Sequence, residues 1–386
     1  MFVSALVHLL AAGLMYAGAN WTGLIPWRRA VSAHWAERAR LLWPARFTAS
    51  LNIFLLPPIL GLMHLVLSPG TSQWWISDGI AAFLGAALAG YYFDREIFPQ
   101  LNFGNWWRQA IAIWGFQFAV WVPLIAACLL MPESGGVQIL LVVGAYLTLH
   151  VALQCGLLLK YLRWANYMTS AGPRLQRIVG PIAVRLGVNV RATWQLRGPL
   201  ANAFASPLTR ELAVSDRLLE ICNDDEVAAI CAHELAHITE SKAVLAGRLL
   251  SSLRFFPLIF VFPAMASWNF GGLALLLFAT SLLDRFARAL SQRMERRADA
   301  VASTEQTDEG VFARALEKVY RESQIPAVNV GNNESHPHLY DRMVSAGITP
   351  DYLRPMKPRR LTLAGWFYSA LLTVLTVIAV ARVASS

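Results

Sequence analysis

Charge is what this chain lacks most: only 15% of its 386 residues are Asp, Glu, Lys or Arg, where a soluble domain carries about 25%. Cysteine is equally sparse. Four cysteines, none in a CxxC or similar spacing, exclude a disulfide-stapled secreted scaffold and read as free thiols. No internal repeat or low-complexity tract is visible. Disorder is excluded too, because a chain with 14 Trp and 19 Phe buries enough apolar surface to offset its ordering entropy. The first apolar run has no basic residue ahead of it and no small-residue cleavage site, so it reads as a retained span and not a signal peptide.

What remains is an integral membrane protein: 56% of residues are hydrophobic and the mean hydropathy is +0.44. A bilayer span takes about 20 largely apolar residues. Runs of that kind lie near 1–25, 47–67, 75–93, 109–131 and 137–160, then as a tight pair at 246–263 and 265–283, and finally at 362–381. Arg248 and Arg254 sit inside the pair, where charge is expensive, so a half-inserted hairpin is the alternative there. Basic residues then orient the eight candidates. Arg28, Arg29, Arg38, Arg40 and Arg46 fill the loop 26–46, whereas 68–74 and 132–136 carry none. Arg95 and Arg108 follow, then a dense basic stretch from Lys160, then Arg285 to Arg297, then Arg354 to Arg360. This alternation predicts the polar regions inside and both termini outside. The net charge of +9 is thereby explained by topology, and no nucleic-acid partner is expected.

The expected organisation is a five-span region at 1–160, a cytoplasmic part at 161–243, a spanning or half-inserted hairpin at 244–283, a second cytoplasmic part at 284–360, and a last span at 361–386. Within 188–216 the strings VNVRATWQL, ANAFA and RELAVSD read as short strands broken by Gly198-Pro199 and Ser206-Pro207. After the cap cluster Asn223-Asp224-Asp225 comes a helical pattern, EVAAICAHELAHI, and two further helices are expected near 285–303 and 310–323.

The first of these helices carries His233-Glu234-Leu235-Ala236-His237. Histidines at i and i+4 point from one helix face and can share a metal, while Glu234 is close enough to hold a water beside it. A catalytic zinc site needs a third protein ligand and one open position. Glu295-Arg-Arg-Ala-Asp299 offers one: Glu295 could bind the metal while Asp299, on the same face, accepts the other ring N–H of a ligand histidine.

Taken together, NAFA (Asn202–Ala205), DEVAAICAHELAHI, an apolar hairpin, ERRAD and HPHLYDR (His336–Arg342) resemble the membrane-embedded zinc endopeptidases, a family that includes the eukaryotic CAAX prenyl protease and the bacterial heat-shock protease HtpX. The resemblance covers about 185–345. It implies an α-helical integral membrane protein with a cytoplasmic zincin-like α+β metallopeptidase domain. It also implies one Zn²⁺ per subunit on His233, His237 and Glu295, with Glu234 as general base. Asn202, Ala203 and Phe204 match the family's substrate-aligning edge strand. His336 matches a histidine that stabilises the transition state, and Arg342 is its structural companion. The implied activity is hydrolysis of peptide bonds in membrane-associated or misfolded proteins, with the bacterial inner membrane as the expected location. A site-specific signalling protease is the alternative within the class, but the outer loops are too short to hold a ligand-binding domain. Outside the class, the alternatives are a haem protein with His64 and His150 as ligands and, from the many spans, a transporter; the packing roles usual for intramembrane histidines and the lack of visible inverted repeats argue against both.

Overall fold

The computed structural model describes residues 2–67, 76–133, 136–331 and 337–385, with side chains to 379 in the last helix. Six segments among them are long and apolar enough to cross a membrane: Phe2–Arg29, Trp35–Leu67, Ile76–Ile97, Phe103–Leu130, Val137–Trp164 and Lys242–Glu305. A shorter apolar stretch, Leu363–Ala379, lies within the final helix Leu363–Ser385. The chain is thus an integral membrane protein, mostly helical.

The chain forms two compact units. The first comprises residues 1–103, 323–330 and 351–386. Its helices Phe2–Gly23, Trp35–Leu67 and Ile76–Ile97 pack closely because small residues line their contacts. At Gly85 a Cβ would fall 1.9 Å from the Leu9 carbonyl oxygen, so only glycine lets those two backbones meet. Asn52 Nδ2 donates to Asn20 Oδ1 at 3.1 Å in the buried interior of this unit. The stretch 35–46, expected as loop, is already helix. Its Ala36, Ala39, Leu42 and Ala45 are buried at helical spacing, which carries the 47–67 span on into its basic flank.

The second unit, residues 104–322 and 331–350, carries the site. Four short strands, β1 (Met168–Ser170), β2 (Ala192–Leu196), β3 (Ala203–Ser206) and β4 (Glu211–Ser215), form one sheet in the order β1-β2-β4-β3. The β2–β4 pair is parallel and the other two pairs are antiparallel. Every residue of β4 is buried, as an inner strand requires, and β3 ends the sheet. The three strands read from sequence are present; β1 is not among them, since three residues are too few for an alternation to register.

Beneath the sheet lies the helix Asp224–Ile238, packed with the helix Pro173–Arg185 around Leu175, Val179, Leu212, Val214, Val227 and Leu235. Its start is fixed by a capping box: Glu226 N donates to Asn223 Oδ1 at 2.9 Å and Asn223 N to Glu226 Oε2 at 3.0 Å. Its far end is held by Arg297, which donates to the Ala236 carbonyl at 2.9 Å.

The apolar pair forms an antiparallel helical hairpin. Gly247 faces Leu290, Arg254 pairs with Asp284, and Gly272 meets Ala264 near the tip. One arm is the helix Lys242–Ser252 followed by a 3-10 turn at Phe256–Phe260. The other belongs to the helical stretch Val261–Glu305, which breaks at Asn269 (φ 50°, ψ −137°). Asparagine tolerates positive φ better than most residues, and a Cβ at Gly272 would lie 2.2 Å from the Ala264 carbonyl oxygen. The helix expected near 285–303 is therefore the continuation of the second arm, and the one near 310–323 spans Val311–Glu322.

Candidate active site

Two elements converge on one point. The helix Asp224–Ile238 brings His233 and His237 to one face, and the second hairpin arm brings Glu295 against them. His233 Nε2 lies 3.4 Å from Glu295 Oε2, and His237 Nε2 lies 3.6 Å from Glu295 Oε1. Donor atoms of all three come within 4.8 Å of one another, and all three residues are buried. A tetrahedral metal with ligands at about 2.0–2.2 Å holds its donor atoms roughly 3.4 Å apart, close to the two histidine–carboxylate spacings here. Two imidazole nitrogens with one carboxylate are also the donor set of a catalytic zinc site that keeps a position open.

Behind the ligands stands a polar support. Asp299 Oδ1 lies 3.0 Å from His233 Nδ1, and Arg342 donates to the same oxygen. An acceptor at Nδ1 fixes the ring's tautomer and leaves Nε2 as the lone-pair donor. Burial opposes charge on Asp299, but the hydrogen bond to His233 and the Arg342 charge outweigh it and hold its carboxyl below the usual range. Burial likewise works against charged His233, yet its bonds to Asp299 and Glu295 and the nearby Glu234 push it up to about 9. A proton and a metal therefore compete for this imidazole in neutral solution.

Glu234 points the other way, to the sheet edge. Ala205 N donates to Glu234 Oε2 at 2.9 Å. Asn202 sits just before β3, bonded to β4 through Ser215 N to the Asn202 carbonyl at 2.8 Å, while Ala203 and Phe204 pair with Val214 and Ala213. The edge strand and Glu234 thus share one side of the metal-binding trio. His336 lies outside the described residues.

Sequence reasoning missed several neighbours. Phe312 stacks on the His233 ring with centroids 5.4 Å apart, and Arg342 lies over the same phenyl ring at 5.5 Å. Arg342 donates a hydrogen bond to half-buried Tyr320. The helix Val311–Glu322 supplies both aromatics, and its strongly amphipathic pattern was the one signal that it must cover something. Cys231, buried under the motif, has its thiol pushed up by burial and is an inert packing group.

An HExxH helix, an edge strand beside its glutamate and a downstream glutamate on a second helix define a zincin-type metallopeptidase domain. Residues 170–347 match peptidase family M48. Three proteins named Protease HtpX homolog are similar to the chain. The one from Trichormus variabilis is 38% identical over 72 residues, covering 18% of this chain and 25% of its own length. That from Ralstonia pickettii is 26% identical over 188 residues (45% and 65%), and that from Pyrococcus furiosus 29% over 175 residues (42% and 61%). The matched regions thus span a quarter to just under two-thirds of these relatives.

Proposed function

We propose that the chain is a membrane-bound zinc-dependent endopeptidase that hydrolyses peptide bonds of membrane-associated or misfolded polypeptides. The observation that carries this is the convergence of His233, His237 and Glu295 with Glu234 turned to an open strand edge. His233, His237 and Glu295 would hold one Zn²⁺, which when bound supplies the Lewis acidity that makes water nucleophilic near neutral pH.

The chain's own residues do the rest. Asp299, braced by Arg342, keeps the His233 proton on Nδ1. Glu234 takes the proton of the attacking water and passes it to the leaving amine. Ala205 N–H steadies that carboxylate at the edge. An extended substrate segment adds to β3 alongside Ala203, so main-chain hydrogen bonds bind it whatever its side chains. His336, by its place in the HPHLYDR motif, is assigned to the developing oxyanion.

The proposed topology has eight crossings. Both hairpin arms and the final helix Leu363–Ser385 complete the count begun by the first five apolar segments. Alternating basic flanks put the metallopeptidase parts in the cytoplasm and both termini outside.

Glu234→Gln tests the activity, because it keeps volume and an acceptor but cannot carry a proton. General acid–base groups contribute about 10²–10⁴-fold. Cleavage of a casein-like unfolded substrate should fall by about 10³-fold with zinc content unchanged. Wild-type cleavage by this variant would remove the hydrolytic assignment.

A further inference from the structure

Metal-ligating side chains gather at a second place, inside the first unit. His8 lies on the helix Phe2–Gly23, His64 in the last turn of Trp35–Leu67 and Asp78 in the first turn of Ile76–Ile97. Three apolar segments thus bring one such residue each to a common end. His8 Nδ1 lies 3.8 Å from Asp78 Oδ1. The His8 and His64 rings stand 5.7 Å apart between centroids, tilted by 47°. Asp78 is fully buried, His8 is 8% exposed and His64 is half-buried.

Ionisable groups within membrane segments are costly and are retained where they have a task. An aspartate in a first turn complements the helix dipole, but that effect is available at a surface and does not call for burial. Two imidazoles with a carboxylate behind one ring form a metal-binding arrangement, and the catalytic trio offers a comparison within the same chain. There the His233 and His237 rings are 5.1 Å apart between centroids, and Asp299 Oδ1 lies 3.0 Å from His233 Nδ1. The cluster in the first unit follows the same plan at wider spacing, so an ion has to draw its rings together. His8 Nδ1 is 2.8 Å from the Ser4 carbonyl oxygen, which can only accept; Nδ1 therefore carries the proton and Nε2 the lone pair. Asp78 stands on the Nδ1 side of His8, as Asp299 stands on the Nδ1 side of His233. The helices that bear His8 and Asp78 meet backbone to backbone at Leu9 and Gly85, which holds these two side chains at a set separation.

We propose that His8 and His64 are the ligands of a second metal site, separate from the catalytic one, in which Asp78 supplies the compensating negative charge. Imidazole nitrogens favour a divalent ion such as Zn²⁺ over Mg²⁺ or Ca²⁺, which prefer oxygen. The site lies at the end of the helices that the proposed topology puts outside, so its ion comes from the external medium. Bound there, the ion joins the first apolar segment to the second and stabilises the folded form. This site does not depend on the protease reading.

The test uses the full chain in detergent, dialysed against buffered free Zn²⁺ and assayed by elemental analysis. Wild type should hold two zinc ions per chain, H8Q/H64Q one, H233A/H237A one, and the fourfold variant none. Asp78→Asn, titrated against a calibrated chelator in the H233A/H237A background, should bind its remaining ion about 10-fold or more weakly than that background does, the size seen when a carboxylate behind a metal-bound imidazole is lost. The thermal midpoint of H233A/H237A should rise with added Zn²⁺ and not with Mg²⁺, and H64Q in that background should remove the rise. A single zinc in the wild type overturns the proposal, as do two in H8Q/H64Q. If H8Q/H64Q fails to fold, the midpoints decide: no rise in H233A/H237A, an equal rise with Mg²⁺, or a rise that survives H64Q overturns the site.

Discussion

Replacing Asp299 by Asn separates the support of the metal site from the site itself. In the native arrangement one carboxylate oxygen faces His233 Nδ1 at 3.0 Å and receives Arg342. Charge-assisted hydrogen bonds contribute about 1.5–3 kcal/mol, which converts to roughly 10- to 100-fold in metal affinity. Loss of an outer carboxylate at metal-bound histidines has that same size, about 10- to 100-fold. The pH dependence makes the test sharper. Because the metal-free His233 titrates near 9, a proton occupies it at pH 7 and weakens zinc binding by about 100-fold. Asp299 stabilises that proton as well as the metal. Removing it lowers the imidazole's pKa, so proton competition is relieved as the metal's support is lost. At pH 9.5, above the raised pKa, the deficit of Asp299→Asn should be complete; at pH 7 the two effects partly cancel and it should shrink. Zinc competition against a calibrated chelator at both pH values reads this directly. A deficit that is constant with pH would refute the account of His233, and affinity within twofold of wild type at pH 9.5 would refute the role of Asp299. Arg342 is nearly buried, its side chain 9% exposed, so Asn leaves a cation short of its counter-ion. The double variant with Arg342→Met should recover thermal stability but not zinc affinity, which keeps folding and binding apart.

Other outcomes follow from the same structure. Reporter fusions after Pro132 and after Arg191 should respond oppositely, because the proposed topology puts the first outside and the second in the cytoplasm; matching signals would overturn it. Asn223→Ala removes one half of a reciprocal cap and should lower the stability of the detergent-solubilised protein by about 1 kcal/mol, read as a lower denaturation midpoint with full zinc content in what remains folded.

How far the sequence foretold this arrangement depends on the distance over which each feature is decided. The two histidines were legible because an i,i+4 spacing becomes one helix face through covalent geometry alone. The cap at Asn223 and the strand breaks at Gly198-Pro199 were legible for the same local reason. Glu295 and Asp299 needed a further step: their own spacing puts them on one face, but only the hairpin delivers that face to His233, since its second arm continues unbroken from Asn269 to Glu305. Phe312 and Tyr320 had no local signature. An aromatic on an amphipathic helix is ordinarily core, and nothing in its neighbours says that its ring will stack on a metal-binding imidazole.

The hairpin links these two kinds of legibility, and it also bears on how the site is assembled. The chain that carries the two histidines must enter the apolar arm, reverse at Asn269 and return before Glu295 arrives, so the third donor is absent until the reversal has formed. Small residues secure that reversal: Gly272 admits the Ala264 carbonyl, and Gly247 lets the first arm close on Leu290. At its base Arg297 returns to cap the very helix that bears the histidines, coupling the second arm to the first half of the domain through the Ala236 carbonyl. This bond ties the second arm, two residues beyond Glu295, to the C-terminal end of the histidine helix. Closure of the hairpin and formation of the metal-binding trio are in this sense coupled, and the apolar segment that interrupts the domain is part of the architecture of its centre.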